Sequence, residues 1–219
     1  MPNSSVPLAS MSDADTDLFW REASGPNGER NPAAIPLYQA VFAHDREAVA
    51  KLLDQGASPN TVLYAKRWSP LMVAIAYQDK DIVDLLLQRG ADINYVSNDP
   101  ATYTPLGVAL NAALADALSR GGNAPKIDFA MFEYLLDAGA DVNVEFGYNN
   151  DIAIFSATQG QMNVVNKLLA SGYQRDLGEL RETLKIRQVN EEGQADKDRA
   201  IVTIDRMLAS SATDLKPPK

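Results

Sequence analysis

The stretch SPLMVAIAYQDKDIVDLLLQRGADIN, residues 69–94, decides the architecture. Ser69 offers a hydroxyl that can accept a backbone N–H at a helix start, and Pro70 follows at the first helical position, where a missing N–H costs nothing. A short apolar helix is expected to begin here. Beyond the polar break at Gln78 and Asp79, a second helix carries Ile82, Leu85 and Leu86 three and four residues apart, the spacing of one buried stripe. Gly90 then stops it, because a helix commonly closes through a left-handed residue that has no side chain to clash.

The same phrase recurs along the chain. IPLYQAVFAHDREAVAKLLDQGASPN (35–60) precedes it, TPLGVAL (104–110) opens a third copy that closes with FEYLLDAGADVN (132–143), and DIAIFSATQGQMNVVNKLLASGY (151–173) keeps the rhythm without the proline or the final Asn. Equivalent leucines lie 34 residues apart from Leu53 to Leu87, 49 from Leu87 to Leu136 and 33 from Leu136 to Leu169. The third unit therefore carries about 15 extra residues, placed between its two helices near 111–127. Ala112, Ala113, Leu114, Ala117 and Leu118 favour helix, so the first helix of that unit should run two turns long before GGNAP breaks it. Repetition at this period signals stacked helix pairs, each burying its apolar face on the next.

GADIN and GADVN in register, two -PL- helix starts and the paired leucines closely resemble the ankyrin repeat. The resemblance covers roughly residues 35–173. It implies an all-α solenoid of about four helix-turn-helix repeats with protruding hairpin loops. Two further amphipathic stretches, LGELRETLKIRQ (177–188) and DKDRAIVTIDRMLAS (196–210), are separated by VNEEGQA and read as a C-terminal helical cap. The expected organisation is a disordered N-terminal arm over 1–17, a capping segment over 18–34, and repeats at 35–68, 69–103, 104–150 and 151–173. Capping helices over 174–210 and a disordered tail over 211–219 complete it. The usual Gly-His turn between the helices is His44-Asp45 in the first unit and Gln78-Asp79 in the second. Family resemblance makes Asn60, Asn94 and Asn143 structural, bonding the backbone groups that start each hairpin.

Composition excludes several kinds of chemistry. The 219 residues hold 29 acidic against 20 basic side chains, a net charge of -9, which argues against wrapping nucleic acid or lying on an anionic membrane and favours a basic partner. Residues 175–219 carry nine charges of each sign, so the whole excess lies in 1–174. No cysteine is present and His44 is the single histidine, which removes thiolate nucleophiles, disulfides and Cys- or His-rich metal cages. Phosphate-cradling glycine motifs are absent. His44 falls in a helix–helix turn and reads as structural or solvent-facing. Neither catalysis, nor a metal, nor a cofactor is expected. With no signal-peptide pattern and no apolar run of about 18 residues, a cytoplasmic protein is expected.

The resemblance further implies that hairpin tips and first helices line a concave surface that binds other proteins. The three finger segments, TVLYAKRW (61–68), YVSNDPATY (95–103) and VEFGYNN (144–150), contain Tyr64, Trp68, Tyr95, Tyr103, Phe146 and Tyr148. These are six of sixteen aromatic residues, in a share of the chain that would hold about two at random. With Lys66, Arg67 and Tyr77 they are the expected partner contacts, because aromatic rings bury much area while freezing few torsions. The competing reading is that the rings pack between fingers and stiffen the stack. The expected function is a non-catalytic module holding one protein partner, in the specific form of a bacterial immunity protein that covers a basic toxin. An adaptor or host-directed effector scaffold with two binding surfaces is the alternative.

Overall fold

The computed structural model describes residues 32–62, 68–97, 103–119, 127–144 and 151–214, which contain ten α-helices and no strand. The chain falls into two compact units, Met1–Ala140 and Asp141–Lys219. The expected arm and most of the expected N-terminal cap, residues 1–31, lie outside the described residues, as do 215–219.

In the first unit a 3-10 turn, Pro32–Ala34, leads into three helix pairs. These are α1 (Ile35–Phe42) with α2 (Arg46–Asp54), α3 (Pro70–Ala76) with α4 (Lys80–Gln88), and α5 (Pro105–Ser119) with α6 (Ala130–Asp137). The first helices stack, α1 on α3 and α3 on α5, while α2 lies against α4, so two helical layers enclose one core. Five consecutive residues of α3, Leu71 to Ile75, are buried, as expected of a helix that is apolar all round and flanked on several sides. In α4 the expected stripe of Ile82, Leu85 and Leu86 is buried together with Val83. The stripe of α2 is shallower: Ala48, Leu52 and Leu53 are half-buried, and Val49 makes the deep contact. The main neighbours of α2 are α1 and α4, so only part of its circumference is covered.

The start and stop signals act as the sequence suggests. Ser69 Oγ accepts the N–H of Met72 at 3.3 Å and Thr104 Oγ1 that of Gly107 at 3.1 Å. Gly56, Gly90, Gly139 and Gly172 all close second helices with φ between 84° and 95°, the left-handed region that disfavours any side chain. The first helix of the third pair has 15 residues against seven in α3, which is the expected two-turn extension, and Leu118 near its end is 77% exposed. The GGNAP break lies outside the described residues.

The second unit pairs α7 (Ile152–Thr158) with α8 (Met162–Ala170). On these pack α9 (Leu177–Ile186) and α10 (Glu191–Asp214), α9 against α7 and α10 against α8, so the C-terminal pair repeats the two-layer arrangement. Leu177, Leu180, Leu184, Ala200 and Ile204 face inward. The VNEEGQA separator is shorter than expected because α10 already begins at Glu191. Asn190 Oδ1 accepts the N–H of Gly193 at 2.9 Å and supplies the cap, and Glu191 adds an acidic residue to the first turn, where the helix dipole favours it. At its other end α10 runs to Asp214, into the stretch expected to be tail.

Candidate functional site

Trp68 and Tyr103 each precede a capping residue, Ser69 and Thr104, so helix starts one repeat apart set both rings at equivalent positions. The rings meet edge to face, with centroids 5.4 Å apart and planes at 74°. Both are half-buried, so they pack on one another and still present surface. The backbone around them is fixed by groups that sequence reasoning did not single out. The Tyr38 hydroxyl, on a side chain buried in α1, donates to the Trp68 carbonyl at 2.5 Å. Ser97, fully buried, donates its N–H to the Tyr103 carbonyl at 2.8 Å and accepts the Tyr103 N–H on Oγ at 2.7 Å. This pair of hydrogen bonds between Ser97 and Tyr103 closes the base of the second finger.

Tyr77 serves as the C-cap of α3, where the residue is 38% exposed. It stands edge to face with Phe42 at 6.0 Å and with His44 at 5.4 Å. Partial burial pushes its phenol above the ordinary tyrosine value. His44 Nδ1–H in turn donates to Asp79 Oδ2 at 2.8 Å. Tyr95 is half-buried and donates its N–H to the Asp92 carbonyl at 3.2 Å. Tyr64, Lys66, Arg67, Phe146 and Tyr148 lie outside the described residues. Beside Gln78, the two extra turns of α5 wall a groove of ≈ 580 Å³ whose lining includes Ala76, Ala112, Asp116, Ser119 and Asp128.

Asn60, which closes GASPN, joins its repeat to the next, and Asn143, which closes GADVN, makes the equivalent pair of bonds within the second unit. Asn60 donates to the Gly90 carbonyl at 2.8 Å and accepts the N–H of Asp92 at 2.7 Å, while Asn143 does the same with Gly172 and Gln174, at 3.1 and 2.8 Å. The charged groups of the second-helix layer also pair. Lys80 Nζ lies 2.9 Å from Asp84 Oδ2 and 3.9 Å from the centroid of Tyr134. Hydrogen bonds from Tyr134 and Lys80 lower the Asp84 carboxyl, and the bond to Asp84 pushes Tyr134 up to about 12. Asp151, standing where earlier units have Ser69 and Thr104, caps α7 through Oδ1 with the N–H groups of Ala153 and Ile154. Its buried Oδ2 accepts no hydrogen bond, and Arg175 Nε is 3.7 Å away. Burial of the nearby Tyr173 phenol pushes it well above the ordinary value.

Among the described residues, no group of three or more His, Asp or Glu side chains is arranged to hold a metal ion, and no helix is long and apolar enough to cross a membrane. Stacked helix pairs with aromatic rings set just before successive first helices define a helical repeat scaffold. Residues 37–145 match the family model of ankyrin repeats (3 copies), and the chain belongs to the ankyrin repeat family. Members of that family are protein–protein interaction modules and typically non-catalytic.

Proposed function

We propose that the chain is a non-catalytic binding protein that holds one protein partner through its finger and first-helix face, with Trp68, Tyr77 and Tyr103 among the contacts. The Trp68–Tyr103 pair is the observation that carries this reading. Two rings locked edge to face, anchored through Tyr38 and Ser97 and still part-exposed, form a preorganised aromatic surface that loses little entropy on binding. Tyr64, Lys66, Arg67 and Tyr95 are proposed as further contacts from the first two finger segments, and Phe146 and Tyr148 as contacts from the third, by their positions in the sequence.

The specific form proposed is a cytoplasmic neutraliser, such as a bacterial immunity protein covering a basic toxin. It is supported by the net charge of -9, all of it in residues 1–174, which include the three family-matched repeats. Affinity capture from the source organism, with wild-type and Trp68→Ala baits side by side, tests the binding reading. A partner held by wild type and lost from the variant supports it; equal capture by both opposes it. Co-expression with a toxin encoded beside the gene tests the specific form, and the absence of both protection and a complex would end it.

A second reading, an adaptor with two surfaces, has one observation in its favour. The second unit exposes Ile186 (82%), Val202 (47%) and Leu208 (38%). It requires two partners to bind at once, one lost in Trp68→Ala and the other in Ile186→Asp.

A further inference from the structure

We propose that His44 is a positioning residue for the partner surface, holding the exposed ring of Tyr77 in one orientation at the expense of backbone strain. The inference rests on the reading of Tyr77 as a contact and adds the means by which that contact is kept in place.

The turn between α1 and α2 passes through His44 with φ 56°, in the left-handed region, where a Cβ is strained. The equivalent turn between α7 and α8 passes through Gly160 with φ 78° and carries no such penalty. Gln78, with φ 58° in the turn between α3 and α4, bonds within its own turn, donating Nε2–H to the Ile75 carbonyl at 3.3 Å. His44 instead reaches out of its turn into the next repeat. Its Nδ1–H donates to Asp79 Oδ2 at 2.8 Å, while Asp79 Oδ1 caps α4 by accepting the N–H of Ile82 at 3.2 Å. One carboxylate thus ties the imidazole to a rigid helix start.

So held, the imidazole stands edge to face with Tyr77 at 5.4 Å, and Phe42 of α1 makes a second edge-to-face contact with the same ring at 6.0 Å. Tyr77 is a C-cap residue with 38% of its surface exposed, a place where a side chain would otherwise exchange rotamers. Two rings from the preceding repeat remove that freedom before a partner arrives. A strained residue whose side chain secures an exposed aromatic is better explained by preorganisation than by fold stability, since glycine would make the same turn with less strain.

The test uses the full-length chain with His44→Gly, measuring thermal melting, the ring resonances of Tyr77 in free protein with labelled tyrosine, and the Kd of a captured partner. The melting temperature should stay level or rise. The nuclear Overhauser contact between the Tyr77 and Phe42 rings should weaken as Tyr77 is freed, and the partner should bind about two- to tenfold more weakly, the penalty of ordering one side chain on binding. An undiminished Phe42–Tyr77 ring contact in the variant would overturn the proposal, as would unchanged affinity when Tyr77→Ala itself weakens binding. If Tyr77→Ala binds like wild type while His44→Gly frees the ring, positioning stands and the reading of Tyr77 as a contact falls.

Discussion

Trp68 and Tyr103, residues of successive repeats, meet edge to face at 5.4 Å, and the backbone of each is pinned by a side chain, the Trp68 carbonyl accepting from the Tyr38 hydroxyl and the Tyr103 N–H donating to Ser97 Oγ. Aromatic pairs of this geometry add about 0.5–1.5 kcal/mol beyond the area they bury, which favours one mutual orientation of the two rings. The arrangement shows the packing between fingers that the sequence raised as one reading, and both rings keep part of their surface exposed.

Tyr38→Phe keeps the ring of a residue that is 1% exposed and removes the donor to the Trp68 carbonyl. It should lower stability by about 1 kcal/mol or slightly more, because the bond is lost and the acceptor remains. Urea unfolding measures this. No change in midpoint would show that the carbonyl finds water instead.

Asn60→Ala removes one donor and one acceptor that together join the end of the first repeat to the Gly90–Asp92 turn of the second. The expected loss is about 1–2 kcal/mol, and Asn60→Asp, which keeps the acceptor alone, should fall between wild type and alanine. If all three proteins unfold at the same denaturant concentration, the asparagine is not a joint between repeats.

Lys80, Asp84 and Tyr134 tie α4 to α6 and give stability a dependence on pH at both extremes. Asp84 is lowered in the folded state, so its contribution is present above the ordinary carboxylate value and fades as pH falls through the lowered one. Tyr134 is raised to about 12, so its contribution is whole below the ordinary tyrosine value and fades as pH rises toward 12. Absorbance titration of phenolate should show a component in that range that Tyr134→Phe deletes. A Tyr134 phenol titrating at the ordinary value would contradict the bond to Asp84.

Asp151→Ser keeps a hydroxyl acceptor for the start of α7 and removes the buried Oδ2 that accepts no hydrogen bond. Ser69 caps α3 in the same manner. The melting temperature should therefore stay level or rise, since a poorly satisfied buried carboxylate is exchanged for a neutral cap. A clear fall would show that the 3.7 Å approach of Arg175 stabilises the second unit.

Features encoded within a few residues were legible in the sequence. Ser69 with Pro70, the glycines that close second helices and the alanine-rich run from 112 to 118 each act on their own turn of chain, so their meaning survives without a structure. Asn190 is local too, but the glycine at 193 hid the helix start that it caps. Partners separated by a full repeat were not legible. The Tyr38 hydroxyl meets a carbonyl 30 residues on and His44 meets a carboxylate 35 residues on, because stacking sets these distances. Ser97 was missed for another reason: its hydroxyl completes a finger base whose closure depends on buried backbone geometry rather than residue type.

The most direct test of a partner surface centred on Trp68 is the Kd of the captured partner for wild type and Trp68→Ala, measured by calorimetry beside the unfolding free energy of each. Binding should weaken by about 2 kcal/mol or more, near thirtyfold, as for an aromatic hot spot, while stability falls by only about 1 kcal/mol from the lost ring pair. Affinity within twofold of wild type, with stability reduced, would show instead that Trp68 packs the stack and meets no partner.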